Sequence, residues 1–296
     1  MSVLPRRVTS FPNPGLFADA DCSSLSEAPT RPEVPVVRPS AYFRWQPGMA
    51  WFLALGIAPI VLPVTGLLVL LVRLTSRGPG LYRQLRVGKN GKVFWIYKIR
   101  TMYCDAEKET GPVWTAENDP RVTPVGRVLR RFHLDELPQL LNVLKGEMTL
   151  VGPRPERPEF AQVLARAVPG YLQRCAVLPG ITGLAQINLP PDSDLDSVRR
   201  KLVLDLEYIE RGNIWLDARI LLCTALKLVG LPGLKIARWL RLTRTVRIPD
   251  WMRTEATHVA NLPKTYTDAV SHSVSKPHNG HRHAFTSQWT PVRKPR

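Results

Sequence analysis

The sequence has little of what builds a metal centre or a disulfide-linked fold. Its 296 residues include only 4 cysteines and 6 histidines. The cysteines are widely spaced and form no CxxC pair, which argues against both a zinc site and a disulfide framework. Most of the histidines fall in the C-terminal tail without the order of metal ligands. We therefore expect four reduced thiols facing the cytoplasm.

The N-terminal region lacks a positively charged start followed by an apolar core, so we expect no secretory signal. No apolar run precedes Cys22, which argues against a lipoprotein. Residues 1–41 are rich in proline, serine and charge and show no apolar periodicity, so this tail is predicted to be disordered. The basic tail 249–296 is predicted to be disordered as well.

Acidic residues are scarce relative to basic ones. Lys and Arg number 41 against 24 Asp and Glu, which gives a formal charge of +17. This excess favours polyanionic partners: nucleic acid, anionic lipid head groups or phosphate-rich small molecules. Charge alone does not choose among them, but no recognised nucleic-acid-reading motif is present, so we expect no nucleic acid.

One long run, Ala50 to Val72, carries no charge. As a straight helix it would measure about 35 Å, enough to cross a bilayer. Pro59 and Pro63 lie near its middle and each removes a backbone donor. Basic residues flank both ends, which favours keeping both ends in the cytoplasm. A helix that enters the membrane, breaks at proline and returns explains both features. A plain transmembrane helix remains a competitor, whereas a buried core helix is disfavoured.

The next segment predicts a β-hairpin. Asn90-Gly91 is a strong turn signal between two alternating runs, so we predict strands near 81–87 and 92–98. Its polar and basic side chains are candidates for phosphate binding, and the alternative is a merely solvated basic face. The candidates are Arg83, Gln84, Lys98 and Arg100.

The rest of the chain is predicted to be mainly helical, which makes the fold class α+β with helices dominant. Helical patterns cover 137–144, 198–209 and 215–229. Residues 231–248 mix basic residues with Trp and Leu at helical spacing. That pattern suits a helix lying in a membrane surface, or equally a basic helix packed on the protein.

The densest signal runs from Arg130 to Phe160. Asp135 and Glu136 precede Leu137-Pro138 and a helical run, so they could simply cap and charge a helix start. They could also divide chemical work, because one carboxylate can attack phosphorus while its neighbour holds a divalent cation. Backbone amides at a helix start attract the same anion.

Two further stretches are candidates for ligand contact. In Gly152-Pro153-Arg154-Pro155 the prolines stiffen the backbone around Arg154, whose guanidinium suits phosphate. The alternative is an ordinary extended loop. Residues 178–184, LPGITGL, form a tight loop that could present Thr182 to a ligand or merely connect two helices.

Residues from about 45 to 230 resemble the bacterial sugar transferase family, the monotopic phosphoglycosyl transferases, in their compact form. The family's motifs occur in order. They are the proline-broken apolar helix, GPGLYRQLRVGKNGKVFWIYKIRTM, LDELPQLLNVLKGEMTLVGPRP, LPGITGLAQIN, and DLEYI followed by WLD. Several long motifs in order are far more specific than an isolated pair of carboxylates.

The resemblance implies transfer of a phosphosugar from a UDP-sugar to undecaprenyl (polyprenyl) phosphate at the cytoplasmic leaflet. It implies that Asp135 is the nucleophile, that Glu136 is its partner at Mg²⁺ and that Arg154 binds phosphate. Pro63 falls where the family breaks its re-entrant helix, and Lys98 and Arg100 match the basic end of the hairpin motif. The expected layout is a membrane-embedded region 42–80, a catalytic domain 81–230 and a basic segment 231–248. An inactive membrane scaffold is the alternative.

Overall fold

The fold is described from a computed structural model that covers residues 34–104, 106, 119–192 and 194–253. Both predicted tails lie mostly outside these residues. Their inner ends, however, are ordered: the Val37 amide donates to Gln173 Oε1 at 2.7 Å, and Met252 is fully buried. The described inner ends of both tails therefore contact the rest of the protein, and the predicted boundaries at 41 and 249 stay predictions.

The apolar run forms one long helix, α1, from Gln46 to Thr75. Pro47 lies in the first turn, where its missing donor costs nothing. The helix continues without interruption through Pro59 and Pro63. The Thr65 hydroxyl donates to the Val61 carbonyl at 2.7 Å, the kind of back-bond that often bends a helix. Among the described residues, α1 alone is long and apolar enough to cross a membrane.

Only a narrow face of α1 contacts the rest of the protein. Ala50, Ala54 and Ala58 are buried at four-residue spacing, which places them on one stripe of the helix. Their small side chains allow the neighbouring helix α3 (Leu140–Leu144) to approach closely. Large apolar side chains such as Phe52 and Leu67 point outward and are exposed. Such a wide exposed apolar surface is unusual for a soluble protein.

Both ends of α1 are tied to the same body. At its start, Gln46 Nε2 donates to Asp217 Oδ2 and to the Val151 carbonyl, each at 2.8 Å. The Tyr208 hydroxyl donates to Asp217 Oδ1 at 2.7 Å. At its end, the Arg100 guanidinium donates to the Ser76 carbonyl at 2.8 Å. The helix is thus held at its two ends, although most of its surface is exposed.

The predicted hairpin is confirmed. Strand β1 (Leu81–Val87) pairs antiparallel with β2 (Val93–Ile99), within one residue of the expected bounds. The last pair is Val87 with Val93, so the connection is longer than a two-residue turn. Asn90 and Gly91 both take left-handed backbone angles there, which Asn and Gly adopt most readily.

The remaining described residues form a helical domain with a second, small sheet. In that sheet β3 (Thr149–Val151) and β4 (Gly180–Thr182) run parallel. The long helices α6 (Leu195–Arg211) and α7 (Ile214–Leu228) match the predicted helical runs. Their buried faces carry fully buried side chains such as Ile209 and Ile220. The elements after the hairpin are α2 (Pro124–Arg131), α3, β3 (Thr149–Val151), α4 (Pro158–Ala167), β4 (Gly180–Thr182), α5 (Leu184–Asn188), α6 (Leu195–Arg211), α7 (Ile214–Leu228) and α8 (Gly233–Trp239).

The basic segment 231–248 is helical only in its first part, α8, and is irregular from Leu240 onward. The expectation of one continuous helix is therefore wrong. Ile236, Ala237 and Leu242 are buried, because the segment folds back onto α5 and α7. Its outer side nevertheless exposes Trp239.

Candidate active site

Local chain geometry places the two adjacent carboxylates at the start of a short helix. Helix α2 begins at a proline and is capped by Thr123, whose hydroxyl accepts from the Gly126 amide at 2.9 Å. After α2 the chain reverses at His133, which adopts a left-handed conformation (φ 52°). A 3₁₀ helix, Leu134–Gln139, follows, with Asp135 and Glu136 in its first turn. The expected placement near a helix start is confirmed, but neither acid is the capping residue.

Glu136 is held between two cations from different elements. Lys98 Nζ on β2 donates to Glu136 Oε1 at 2.8 Å. The Arg154 guanidinium makes a bidentate contact, in which one nitrogen donates to Oε2 at 3.2 Å and the other to Oε1. Burial would raise the pKa of Glu136, but the charges of Arg154 and Lys98 hold it well below its usual value. Glu136 is therefore ionised.

Asp135 differs from its neighbour. It is buried to 9% exposure, and its carboxylate has no hydrogen-bond donor within the part of the chain that the structure describes. Burial raises the pKa of Asp135, against the lowering effect of the Lys98 and Arg130 charges. A partly desolvated carboxylate without a hydrogen-bond partner is more reactive than a solvated one. The two acids thus occupy distinct environments, one paired and one available.

Arg130 belongs to this site although sequence reasoning did not single it out. Its Nε donates to the Thr101 hydroxyl at 2.8 Å, and its charge acts on Asp135. Burial lowers the pKa of Arg130 itself, while Asp135 raises it. The only hint in the sequence was that Arg130 lies five residues before Asp135, about one and a half helical turns. Because the chain turns at His133, helical periodicity does not predict that these two side chains lie close together.

The loop that carries Arg154 is fixed by the third motif. The Gly152 amide donates to the Thr182 carbonyl at 2.8 Å, and the Gly180 amide donates to the Pro153 carbonyl at 3.0 Å. A Cβ added at Gly180 would lie 2.0 Å from the Gly152 nitrogen. Both glycines are therefore required for two backbones to touch. The LPGITGL stretch positions the neighbouring GPRP loop.

Arg174 supports the same loop from behind. Its guanidinium donates to the Arg154 carbonyl at 2.9 Å and to the Tyr171 hydroxyl at 2.7 Å. It also pairs with Asp205 at 2.7 Å, where the acid is buried. Burial raises the pKa of Asp205, and the Arg174 charge opposes that rise. The DLEYI motif therefore acts on Arg154 through Arg174, a link that sequence reasoning missed.

The structure brings four predicted residues together, and the other four make their described contacts with other groups. Asp135, Glu136, Lys98 and Arg154 form one cluster, as the contacts above describe. The Arg100 guanidinium instead donates to the carbonyls of Ser76 and Arg77, which directly follow α1. The other three contact different residues. Arg83 lies over the Trp95 ring, Gln84 accepts a hydrogen bond from Arg86, and Thr182 shares a hydrogen bond with Thr224.

The oxygen ligands that the cluster offers can be compared with those that Mg²⁺ usually has in proteins. Magnesium in proteins is usually held by one or two carboxylates together with substrate phosphates and water. Asp135 and Glu136 supply two adjacent carboxylates, and Asp135 accepts no hydrogen bond within the described chain. No group of three or more His, Cys, Asp or Glu residues gathers in the described ranges. The donor set fits a cation that arrives with a phosphorylated ligand and does not suit an all-protein cage.

The fold and this cluster define a class of protein: a helical domain joined to one membrane-type helix, with paired carboxylates among cations suited to phosphate. The chain belongs to the bacterial sugar transferase family. The model of that family matches residues 44–230, which span the apolar helix, the hairpin, both carboxylates and α7. The long apolar helix and the family together indicate membrane association.

Three relatives illustrate the match. The chain is 47% identical to undecaprenyl-phosphate glucose phosphotransferase of Komagataeibacter xylinus over 167 residues, which cover 55% of this chain and 31% of the relative. It is 41% identical to UDP-N-acetylgalactosamine-undecaprenyl-phosphate N-acetylgalactosaminephosphotransferase of Aeromonas hydrophila over 177 residues, 60% of this chain and 42% of the relative. It is 40% identical to exopolysaccharide production protein PSS of Rhizobium leguminosarum bv. phaseoli over 178 residues, 58% of this chain and 89% of the relative. The chain thus spans less than half the length of the first two.

Proposed function

We propose that this protein transfers a phosphosugar from a UDP-sugar to undecaprenyl phosphate through a covalent intermediate on Asp135, and so initiates assembly of a surface polysaccharide or glycoconjugate. The observation that carries the proposal is the contrast between the two carboxylates. Glu136 is bound by two cations, whereas Asp135 is buried, lacks a described hydrogen-bond donor and lies beside the same cations. The names of the relatives supply the donor and acceptor classes.

In the first step an Asp135 carboxylate oxygen forms a bond to the phosphorus that carries the sugar. The bond from that phosphorus to the bridging oxygen breaks, and UMP leaves with the bonding electrons. Arg154 and Lys98 face the site where negative charge develops, and fixed cations stabilise such charge strongly in a site sheltered from water. Pro153 and Pro155 limit the backbone freedom of Arg154.

In the second step an oxygen of the lipid phosphate attacks the same phosphorus. The bond to Asp135 breaks, the carboxylate is regenerated, and a polyprenyl diphosphosugar leaves. An acyl-phosphate is well suited to this exchange because its carboxylate is a good leaving group. Glu136 would hold Mg²⁺, with Asp135 beside it, and the ion when bound would neutralise phosphate charge.

We also propose that α1 is re-entrant: it enters the membrane, bends at Pro63 and returns to the side from which it entered. Its two ends contact one body through Gln46 and Arg100. A helix that crossed the bilayer would place those ends about 30 Å apart on opposite sides. The back-bond from Thr65 lies beside the proposed bend.

The test measures UMP release from purified, detergent-solubilised protein with Mg²⁺, undecaprenyl phosphate and a panel of UDP-sugars. We expect release with one donor, and loss of at least about 10³-fold in Asp135→Asn, since the amide is not a nucleophile. Near-normal turnover in that variant would refute the covalent intermediate. No release with any donor, from folded protein, would favour an inactive membrane scaffold.

A further inference from the structure

A second group of cationic side chains lies outside the carboxylate cluster. It surrounds an open cavity of about 240 Å³ between the turn that follows α2 and the turn that follows α7. Arg131 and His133 come from the first turn, and Lys227 comes from the last turn of α7. Phe132, Gly230 and Leu231 complete the lining. We call this space the basic cavity.

The charges of the basic cavity are not balanced by acids. Within the described chain, no carboxylate forms an ion pair with Arg131, His133 or Lys227. The Arg131 guanidinium instead lies over the Phe132 ring, 5.9 Å from its centre. Guanidinium and ammonium groups that line one cavity without acids attract an anion, and the imidazole adds a hydrogen-bond donor. A phosphate group fits this donor set.

Exposed apolar residues flank Leu231, which lines the basic cavity. Val229 is 75% exposed and Leu234 is 70% exposed, and both lie within three residues of Leu231 in the chain. A small water-soluble anion would be bound by the cations alone and would make no use of these apolar side chains. Exposed apolar side chains beside them suit a ligand with a charged head and a hydrocarbon chain. The occupant that fits both parts is a lipid phosphate.

The basic cavity and the carboxylates lie on two sides of one turn. Arg130 points inward, to Thr101 and the Asp135 charge, whereas its neighbour Arg131 points outward into the cavity. His133 lines the cavity, and Asp135 follows two residues later. A ligand in this cavity would therefore contact a residue two positions from Asp135 in the chain, and it would leave the Glu136 ion pairs intact.

We infer that the basic cavity binds the phosphate head of the polyprenyl phosphate acceptor, while the first part of its hydrocarbon chain lies along Val229, Leu231 and Leu234. This inference rests on the proposed function, because the acceptor phosphate must approach the phosphorus held on Asp135. It adds a separate subsite to the cluster of Lys98 and Arg154, which would serve the donor.

The test compares Arg131→Gln/Lys227→Gln with the control Arg166→Gln/Arg200→Gln. The control removes the same charge from two exposed arginines outside the cavity. Binding of a fluorescent short-chain polyprenyl phosphate is measured in detergent without donor, with the neutral polyprenol as the lipid control. We expect roughly tenfold or greater weakening in the cavity variant only, and weak binding of the alcohol by all proteins. Thermal unfolding confirms that both variants are folded.

Kinetics provide the second measurement. The acceptor KM should rise about tenfold in the cavity variant, with the UDP-sugar KM unchanged. A rise in the UDP-sugar KM with lipid binding intact would assign the cavity to nucleotide phosphates and overturn the inference. Equal effects in both variants, or equal competition by phosphatidylglycerol vesicles, would reduce it to general charge attraction and overturn it too.

The two proposals fail in different ways. Lipid binding that depends on the basic cavity, in wild-type protein that releases no UMP with any donor, would support this site and refute the transferase activity. Normal turnover together with unchanged lipid binding and acceptor KM in the cavity variant would refute this site and leave the transferase activity intact.

Discussion

At the scale of single residues, the ionisation of Asp135 sets the pH dependence that we expect for the proposed first step. In that step the carboxylate must be ionised to attack, and burial raises its pKa while the cations Lys98 and Arg130 oppose that rise. The rate should therefore fall on acidification, and the fall should begin above the pH at which an ordinary aspartate is protonated.

We expect Lys98→Met to move this acidic limb to higher pH, because removing a cation raises the pKa of Asp135 further. The measurement is kcat/KM for the UDP-sugar between pH 5 and pH 9. Arg166→Met provides a control, since it removes a distant, exposed charge. A limb that stays in place, or moves to lower pH, would contradict the assignment of this titration to Asp135.

The bidentate geometry of Arg154 leads to a second prediction at this scale. Arg154→Lys keeps the charge but loses the fork that meets both Glu136 oxygens. We expect turnover to fall by about 10²-fold, the usual loss when one charge-stabilising group is removed. The side chain is 45% exposed, so the melting temperature should change little. A large drop in melting temperature would instead point to a structural role.

At the scale of elements, the close contact between β4 and the GPRP loop predicts a sharp intolerance. Gly180→Ala would place its Cβ 2.0 Å from the Gly152 nitrogen, so the loop must move. We expect the free energy of unfolding to fall by about 1–3 kcal/mol. Activity should fall more strongly, because the displaced loop carries Arg154. Melting temperature and UMP release measure the two effects.

Gly56→Ala is the matched control for that substitution. It is an equally small change, and nothing lies within 4 Å of the added carbon. Alanine also favours a helix over glycine by about 1 kcal/mol, so this variant should be at least as stable as the parent. Comparable damage in both variants would show that steric contact at Gly180 is not the cause.

The elements themselves were largely predictable, because their signals are local. Periodicity placed α6 and α7, and the Asn90-Gly91 pair placed the hairpin within one residue. The side-chain partners were not predictable in the same way. Arg100 was expected at a phosphate, yet its guanidinium donates to the carbonyls of Ser76 and Arg77 just after α1, and its role in binding phosphate stays a prediction.

The residues of the site divide in the same way, into those predictable from local motifs and those that depend on the fold. Asp135, Glu136 and Arg154 stand in recognisable motifs, whereas Arg130 and Arg174 act through contacts that depend on the tertiary fold. The contacts made by the inner ends of the two tails were equally hidden from the sequence. Val37 and Met252 are held by residues far away in the chain, and composition carries no information about such partners.

At the scale of the whole molecule, the attachment of both ends of α1 to one body predicts the membrane topology. Trp45→Cys and Arg77→Cys, each in a background without other cysteines, flank the helix. In inverted membrane vesicles, whose cytoplasmic face is outward, an impermeant thiol reagent should label both positions. Intact spheroplasts should label neither. Labelling of one position from each side would show a helix that crosses the membrane.

The order in which the chain is made gives the ties of α1 and Arg154 a further meaning. The ribosome delivers Gln46 early, but its partner Asp217 lies much later in the chain, in α7. Likewise the Arg154 carbonyl waits for Arg174, whose charge is balanced by the later Asp205. A nascent chain therefore carries both carboxylates before the residues that support the Arg154 loop have been made. The full set of contacts around the reactive centre and the start of α1 can form only after Asp217 has been synthesised.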